Sequence, residues 1–174
     1  VLLFTVPTRR ELAVRRLWAA SVMEPVAVAA RLDSSNEMIP FAFPETFGYL
    51  DADGRVLYRG AVSHGVALST SGFVSFGRAP EQLVLQGPDG RYQATLGLAG
   101  YPWFAGENLY VNGTGADVIA AYEPSGAHLW TMELPGSLTS AAAGGSLTAV
   151  GMVAGSVVAV DDDGRPIAIE GASD

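Results

Sequence analysis

Three groups of residues in this 174-residue chain are of types that could carry chemistry. Acidic side chains gather in Asp51-Ala52-Asp53-Gly54 and Asp161-Asp162-Asp163-Gly164, imidazoles stand only at His64 and His128, and Tyr101, Trp103 and Phe104 bring three aromatic rings together. Clustered carboxylates are what a hard cation such as calcium requires. An EF-hand loop also needs a Glu at its twelfth position, and Ala172 stands there for the loop opening at Asp161. The acidic turns are therefore expected to be structural and free of metal. A Ser-His-acid triad could be drawn around His64, but the chain has no Gly-x-Ser-x-Gly elbow to expose a nucleophile. Both histidines are expected to serve structure, and no catalytic residue, metal ligand or cofactor is assigned. Tyr101, Trp103 and Phe104 are the candidates for contact with a partner, because aromatic side chains carry large apolar area at low entropic cost. Packing between neighbouring sheets is the other use of the same rings. Asn112-Gly113-Thr114 matches a glycosylation acceptor within a Gly-rich turn.

The acidic turns belong to a longer series. Gly87-Pro88-Asp89-Gly90 and Glu123-Pro124-Ser125-Gly126 share their pattern, and the four closing glycines recur at intervals of 36, 36 and 38 residues. Each reads as a type I turn with Pro allowed second, Asp or Ser third, and Gly taking the positive φ of a G1 bulge. Strands flank every turn: Phe47 to Leu50, Leu83 to Gln86, Ile119 to Tyr122 and Val157 to Val160 before it, and Arg55 to Arg59, Arg91 to Leu96, Ala127 to Leu134 and Arg165 to Glu170 after it. A second hairpin, with tips at Thr70-Ser71-Gly72, Ala105-Gly106-Glu107 and Ala143-Gly144-Gly145, adds two more strands per period. Val26 to Leu32 and Met38 to Phe43 fill the same places in an earlier unit. Four-stranded antiparallel sheets repeating at this period define an all-β propeller, with about four blades spanning 26–60, 61–96, 97–134 and 135–171. The first strand of each blade is expected to line the central channel. Tyr101-Pro102-Trp103-Phe104 puts large rings where Gly65 to Ser69 and Ser137 to Ala141 are small.

Residues 1–25 differ from the rest. Thr8 and Glu11 have capping-box spacing, which predicts a helix from Thr8 to about Val22, packing through Leu12, Trp18 and Val22 and stopped by Pro25. Val1 to Val6 is apolar and reads either as the end of an export signal or anchor or as a buried strand.

Composition narrows the function classes. Nearly half the residues are hydrophobic, 21 are Gly and 16% are charged, which suits sheets covered on both faces. The net charge of −8 argues against nucleic acid, whose phosphates need a basic footprint, and against anionic membrane surfaces. There is no Cys, so disulfides, thiolate metal sites and cysteine nucleophiles are excluded.

Ala121-Tyr122-Glu123-Pro124-Ser125-Gly126-Ala127-His128-Leu129-Trp130 resembles the PQQ-like, or quinoprotein-alcohol-dehydrogenase-like, propeller repeat, which runs Ala-x-Asp-x-x-Thr-Gly-Lys-x-x-Trp. The Gly and the Trp four residues later match. Glu123, Ser125 and Ala127 replace the Asp, Thr and Lys, and the turn is one residue shorter. Tyr58 takes the Trp place in the first unit, while Ala94 and Ala168 take it in the second and fourth. The resemblance implies a ring usually closed by seven or eight blades, so four blades are expected to be part of a larger ring or to pair through their end blades as a homo-oligomer. It also implies two functional classes. One is an exported or periplasmic, non-catalytic scaffold for protein or peptide recognition, a role that an outer-membrane assembly lipoprotein of the family fills. The other is a small-ligand-binding or enzymatic propeller using the channel mouth, although the calcium, Asp and cysteine features of quinoprotein enzymes find no counterpart here.

Overall fold

The computed structural model describes residues 18–19, 21–23 and 38–170, with side chains described as far as Ile167. Every regular element among them is a β-strand. Four antiparallel sheets follow one another along the chain. The first contains β1 (Ile39–Ala42), β2 (Thr46–Leu50) and β3 (Val56–Ala61); the second β4 (Gly65–Leu68), β5 (Phe73–Phe76), β6 (Leu83–Gln86) and β7 (Tyr92–Leu96). The third contains β8 (Gly100–Ala105), β9 (Asn108–Gly113), β10 (Val118–Tyr122) and β11 (His128–Glu133); the fourth β12 (Leu138–Gly144), β13 (Leu147–Met152), β14 (Val157–Asp161) and β15 (Pro166–Glu170). Strands pair in chain order within each sheet, as consecutive hairpins require. The strand expected at Val26 to Leu32 lies outside the described residues, as does Val1 to Val6.

The turn chemistry explains the repeat. Gly54, Gly90, Gly126 and Gly164 all take positive φ, between 78° and 84°, which a side chain would resist. Each glycine N–H donates to the carbonyl three residues back, at 2.8–3.0 Å, and the first residue of each turn donates to the carbonyl just past the Gly. The ladder shifts register at Tyr49/Leu50, Leu85/Gln86, Ala121/Tyr122 and Ala159/Val160, which is the bulge that rejoins the strands. Carboxylates finish three of the turns: Asp51 Oδ1 accepts from the N–H groups of Asp53 and Arg55, Asp161 Oδ1 from those of Asp163 and Arg165, and Asp89 Oδ1 from that of Arg91. The acids are thus consumed locally as turn acceptors.

The core lies between sheets. Phe47 and Tyr49 of the first sheet meet Phe73 of the second; Leu83 and Leu85 of the second meet Leu109 and Val111 of the third; Ile119 and Trp130 of the third meet Val150 and Val158 of the fourth. Strand alternation sends one set of side chains to the sheet before and the other to the sheet after, so the second and third sheets are covered on both faces by their neighbours. Each fully buried Leu or Phe of these seams contributes about 1.5–3 kcal/mol.

A second contact joins successive sheets at their outer strands. A Cβ built on Gly90 would lie 2.5 Å from the Tyr58 ring, one on Gly164 2.6 Å from the Trp130 ring, and one on Gly126 2.4 Å from Ala94 Cβ. In each case the turn glycine of one sheet seats against the residue four past the turn glycine of the sheet before. Gly54 repeats the arrangement with Trp18, whose ring would be 2.7 Å from its Cβ. This corrects the helix expected to run to Val22. Trp18, Ala19 and Ser21 to Met23 are not helical, because Trp18 docks on the first sheet and the Val22 carbonyl accepts from Arg59 Nη1 at 3.1 Å. Tertiary contacts override the local capping signal there, and the remainder of that helix lies outside the described residues.

Candidate functional site

The order of antiparallel hairpins puts the two ends of the sheets under different chemistry. The turns at 51–54, 87–90, 123–126 and 161–164 share one end with the tips at 69–72, 105–108 and 144–147. The opposite end carries the starts of β4 and β8 and the end of β5, and β4 adjoins β8 next to the axis.

At that opposite end the aromatic trio separates. Tyr101 is 41% exposed, stands edge-to-face with Phe76 at 6.2 Å, and donates its hydroxyl to the Arg78 carbonyl at 3.2 Å. Trp103 turns toward the fourth sheet, stacks on Tyr110 with ring centroids 4.5 Å apart, and donates Nε1–H to Asn112 Oδ1 at 3.1 Å. Phe104 turns the other way, into the seam with the second sheet. The structure therefore leaves Tyr101 facing solvent and sets Trp103 and Phe104 as inter-sheet packing on either side of β8. Asn112, of the glycosylation tripeptide, is half-buried and committed to Trp103.

Tyr101 gains two neighbours, Phe76, which the sequence did not single out, and His64, which it singled out only as a structural imidazole. His64 is exposed and lies edge-to-face with Phe76 at 6.3 Å, so His64, Phe76 and Tyr101 form a row of rings. The Phe76 ring fills the place of a Cβ on Gly65, which explains why β4 opens with glycine. Ser63 Oγ donates to the Phe76 carbonyl at 3.0 Å and helps fix the row. Phe43, 51% exposed, and Val153, 71% exposed, are placed at the same end by the topology. The signal available in the sequence was positional: His64 precedes an inner strand and Phe76 ends the strand paired with it. Residue type alone brings neither of them to Tyr101.

The acidic end offers a different geometry. A cavity of about 240 Å³ opens between the β8–β9 and β12–β13 tips, lined by Glu107, Asn108 and Tyr110 with backbone from the facing tip. Glu107 Oε1 accepts from Thr70 Oγ1 at 3.2 Å, and Tyr110 OH accepts from Thr148 Oγ1 at 3.2 Å. Among the described residues no group of three or more His, Cys, Asp or Glu side chains is arranged to hold a metal ion. His128 sits at this end, its Nε2 2.7 Å from Thr131 Oγ1, so the two histidines belong to opposite ends of the molecule. Among the described residues, the groups whose acidity the surroundings clearly shift are tyrosines. Burial, with Tyr58 nearby, pushes the Tyr49 phenol well up, burial alone raises Tyr58, and burial raises Tyr122 against hydrogen bonds from Leu98 and Gly97 that lower it.

With this geometry in hand, the comparisons agree on architecture. A family model described as a beta-propeller protein matches residues 1–169. The chain belongs to that β-propeller family. The crystal structure of BamB from Moraxella catarrhalis is similar, with a TM-score of 0.54 and 18% identity over 81% of this chain and 47% of that one. Hsv2 from Kluyvelomyces marxianus gives a TM-score of 0.60 at 12% identity, covering 79% and 47%. The quinohemoprotein alcohol dehydrogenase ADHIIG from Pseudomonas putida HK5 gives 0.52 at 15% identity, covering 79% and 33%. An uncharacterized protein of Treponema pallidum is 21% identical over 138 residues, which are 79% of this chain and 37% of the relative. The chain thus spans half or less of the length of these relatives. At such identities the structural likeness establishes the fold, and the PQQ-like resemblance of the repeat stands beside a PQQ-type neighbour.

Proposed function

We propose that this propeller is a non-catalytic scaffold for protein or peptide recognition, and that it works in an exported setting. The observation that carries this reading is the ring row His64, Phe76 and Tyr101, an aromatic patch formed by the residue before β4, the end of β5 and the start of β8. Rigid aromatic surface on a fixed scaffold is what a hot spot needs. Trp103 and Phe104 support it from behind by locking β8 into the seams on both sides. The structural likeness to BamB and the resemblance of the repeat support the same class, and the exported setting rests on that resemblance. The test is site-specific crosslinking in the native host. A photoreactive residue at Tyr101 is expected to give a discrete adduct that the same residue at Tyr92 does not give, Tyr92 being 66% exposed on an outer strand. Equal or absent labelling at the two positions contradicts the reading.

The cavity beside Glu107 favours a second class, a small-ligand site at the acidic end. Its single carboxylate and backbone groups would hold a polar ligand by hydrogen bonds. Saturable ligand binding that is lost in Glu107→Ala, while crosslinking at Tyr101 stays empty, would replace the scaffold reading with this one.

A further inference from the structure

The polar groups around the cavity at the acidic end are peculiar to one blade. Tyr110 pairs with Ala121, five residues before the turn glycine of its sheet. Val74, opposite Leu85, and Ala149, opposite Ala159, hold the same place in the second and fourth sheets. Three residues before these positions stand Glu107, Ser71 and Ser146. The repeat itself therefore calls for neither a phenol nor a carboxylate here, and of these three sheets only the third supplies both.

Both line the cavity of about 240 Å³ between the β8–β9 and β12–β13 tips. Its floor is Tyr110, 5% exposed, held by the Trp103 stack, by Trp130 edge-to-face and by Thr148, itself buried. Because the phenol oxygen accepts from Thr148, its own proton is left to donate, and among the described residues it has no acceptor. A buried donor is costly to leave unmade, so the cavity favours an occupant that accepts from it. At the rim, Glu107 gives one oxygen to Thr70 and keeps the other, and the Asn108 amide has no hydrogen-bond partner among the described residues. No cationic side chain lines the cavity. An anionic ligand would therefore meet the Glu107 carboxylate without a counter-charge. An ammonium would satisfy Glu107, but it has no lone pair for the Tyr110 proton. A hydroxyl both donates and accepts, so neighbouring hydroxyls on one small molecule serve floor and rim together. The volume is that of about eight waters, which suits one sugar ring with its hydroxyls. We infer that this cavity is a binding site for a neutral polyhydroxylated ligand of single-sugar size, with Tyr110 donating at the floor, Glu107 accepting at the rim and Asn108 able to do both. The inference rests on the small-ligand reading of the acidic end and adds the ligand's chemical class to it.

Titration of the 174-residue chain with glucose, galactose and mannose, followed by protein NMR, tests this, with ethanolamine as the cationic probe. At least one of the sugars is expected to bind saturably, and ethanolamine is expected not to bind. Tyr110→Phe should weaken the sugar by about 2–10-fold. Ala143→Leu, which fills the cavity from the fourth-sheet wall, should abolish binding. Glu107 is exposed, so its variants keep the fold: Glu107→Gln, which retains an acceptor, should keep most of the affinity that Glu107→Ala loses. Ethanolamine bound in place of the sugars, and lost in Glu107→Gln, overturns the ligand class and leaves the small-ligand reading standing. If neither the sugars nor the amine bind, both fall. Sugar binding indifferent to Glu107→Ala and to Ala143→Leu puts the sugar elsewhere and overturns the site.

Discussion

The second and third sheets meet through Ala94 against Gly126, the third and fourth through Trp130 against Gly164. The backbone hydrogen bonds of the turn are the same at both junctions, while the volume of the seated residue differs sharply. At the alanine junction the sheets close down until a Cβ on Gly126 would be 2.4 Å from Ala94 Cβ and 3.3 Å from Leu85 Cδ2, and cohesion passes to a broad aliphatic seam of Leu83, Leu85, Leu96, Leu109 and Val111. At the tryptophan junction one indole, 7% exposed, spans the gap and meets Tyr110 edge-to-face at 6.1 Å. The repeat therefore fixes where successive blades touch, and the residue four past the glycine decides how much of the junction rests on one side chain.

The largest effect should come from removing that side chain. Trp130→Ala is expected to cost about 3–5 kcal/mol in denaturant unfolding, whereas Ala94→Gly should cost about 1 kcal/mol or less. Equal losses at the two positions would erase the distinction. Substituting the glycines should come next. Gly126→Val and Gly90→Val each force a side chain into positive φ and into an occupied seat, and are expected to cost about 2–3 kcal/mol. Gly144→Val, with open space around its Cβ position, is expected to cost less than either. A melting temperature unchanged by Gly126→Val would break the account of the turns.

Smaller effects come from the tyrosines of the first junction. The Tyr49 hydroxyl is buried without a hydrogen-bond partner, so Tyr49→Phe should leave stability unchanged or slightly raised at neutral pH. Burial raises the phenol pKa in the folded state, so this stability is fully present below the unfolded value of 10.0 and declines as pH rises above it. Each such tyrosine adds a downward slope of at most about 1.4 kcal/mol per pH unit. Tyr49→Phe should flatten the decline between the wild-type curve and its neutral plateau, and unfolding titrations from pH 8 to about 11 check it. The smallest effect should be that of calcium. Because Asp51 and Asp161 already accept two backbone N–H groups each, millimolar calcium or a chelator is expected to leave the melting temperature unchanged.

The architecture was legible because turn chemistry is local. Asp51, Asp89, Ser125 and Asp161 announce their turns within four residues, and the spacing of Gly54, Gly90, Gly126 and Gly164 announces the blades. The seat beneath each glycine was legible only as a repeat position, since nothing in Tyr58 or Ala94 names the sheet it will touch. The site was less legible for the same reason. Tyr101, Trp103 and Phe104 are adjacent in sequence but diverge on alternate faces of β8, while His64 and Phe76 join Tyr101 only through strand order. The helix signal at Thr8 and Glu11 misled at Trp18 because an apolar seat on the next sheet outweighs a cap.

Gly90, Gly126 and Gly164 each seat on the residue four past the preceding turn glycine. Proton NMR on the folded chain tests it most directly, through nuclear Overhauser contacts of the glycine Hα atoms. Contacts are expected from Gly90 to the Tyr58 ring, from Gly164 to the Trp130 indole and from Gly126 to the Ala94 methyl, with no aromatic contact at Gly126 from that seat. Contacts from Gly90 or Gly164 to some other ring, or to none, would contradict it.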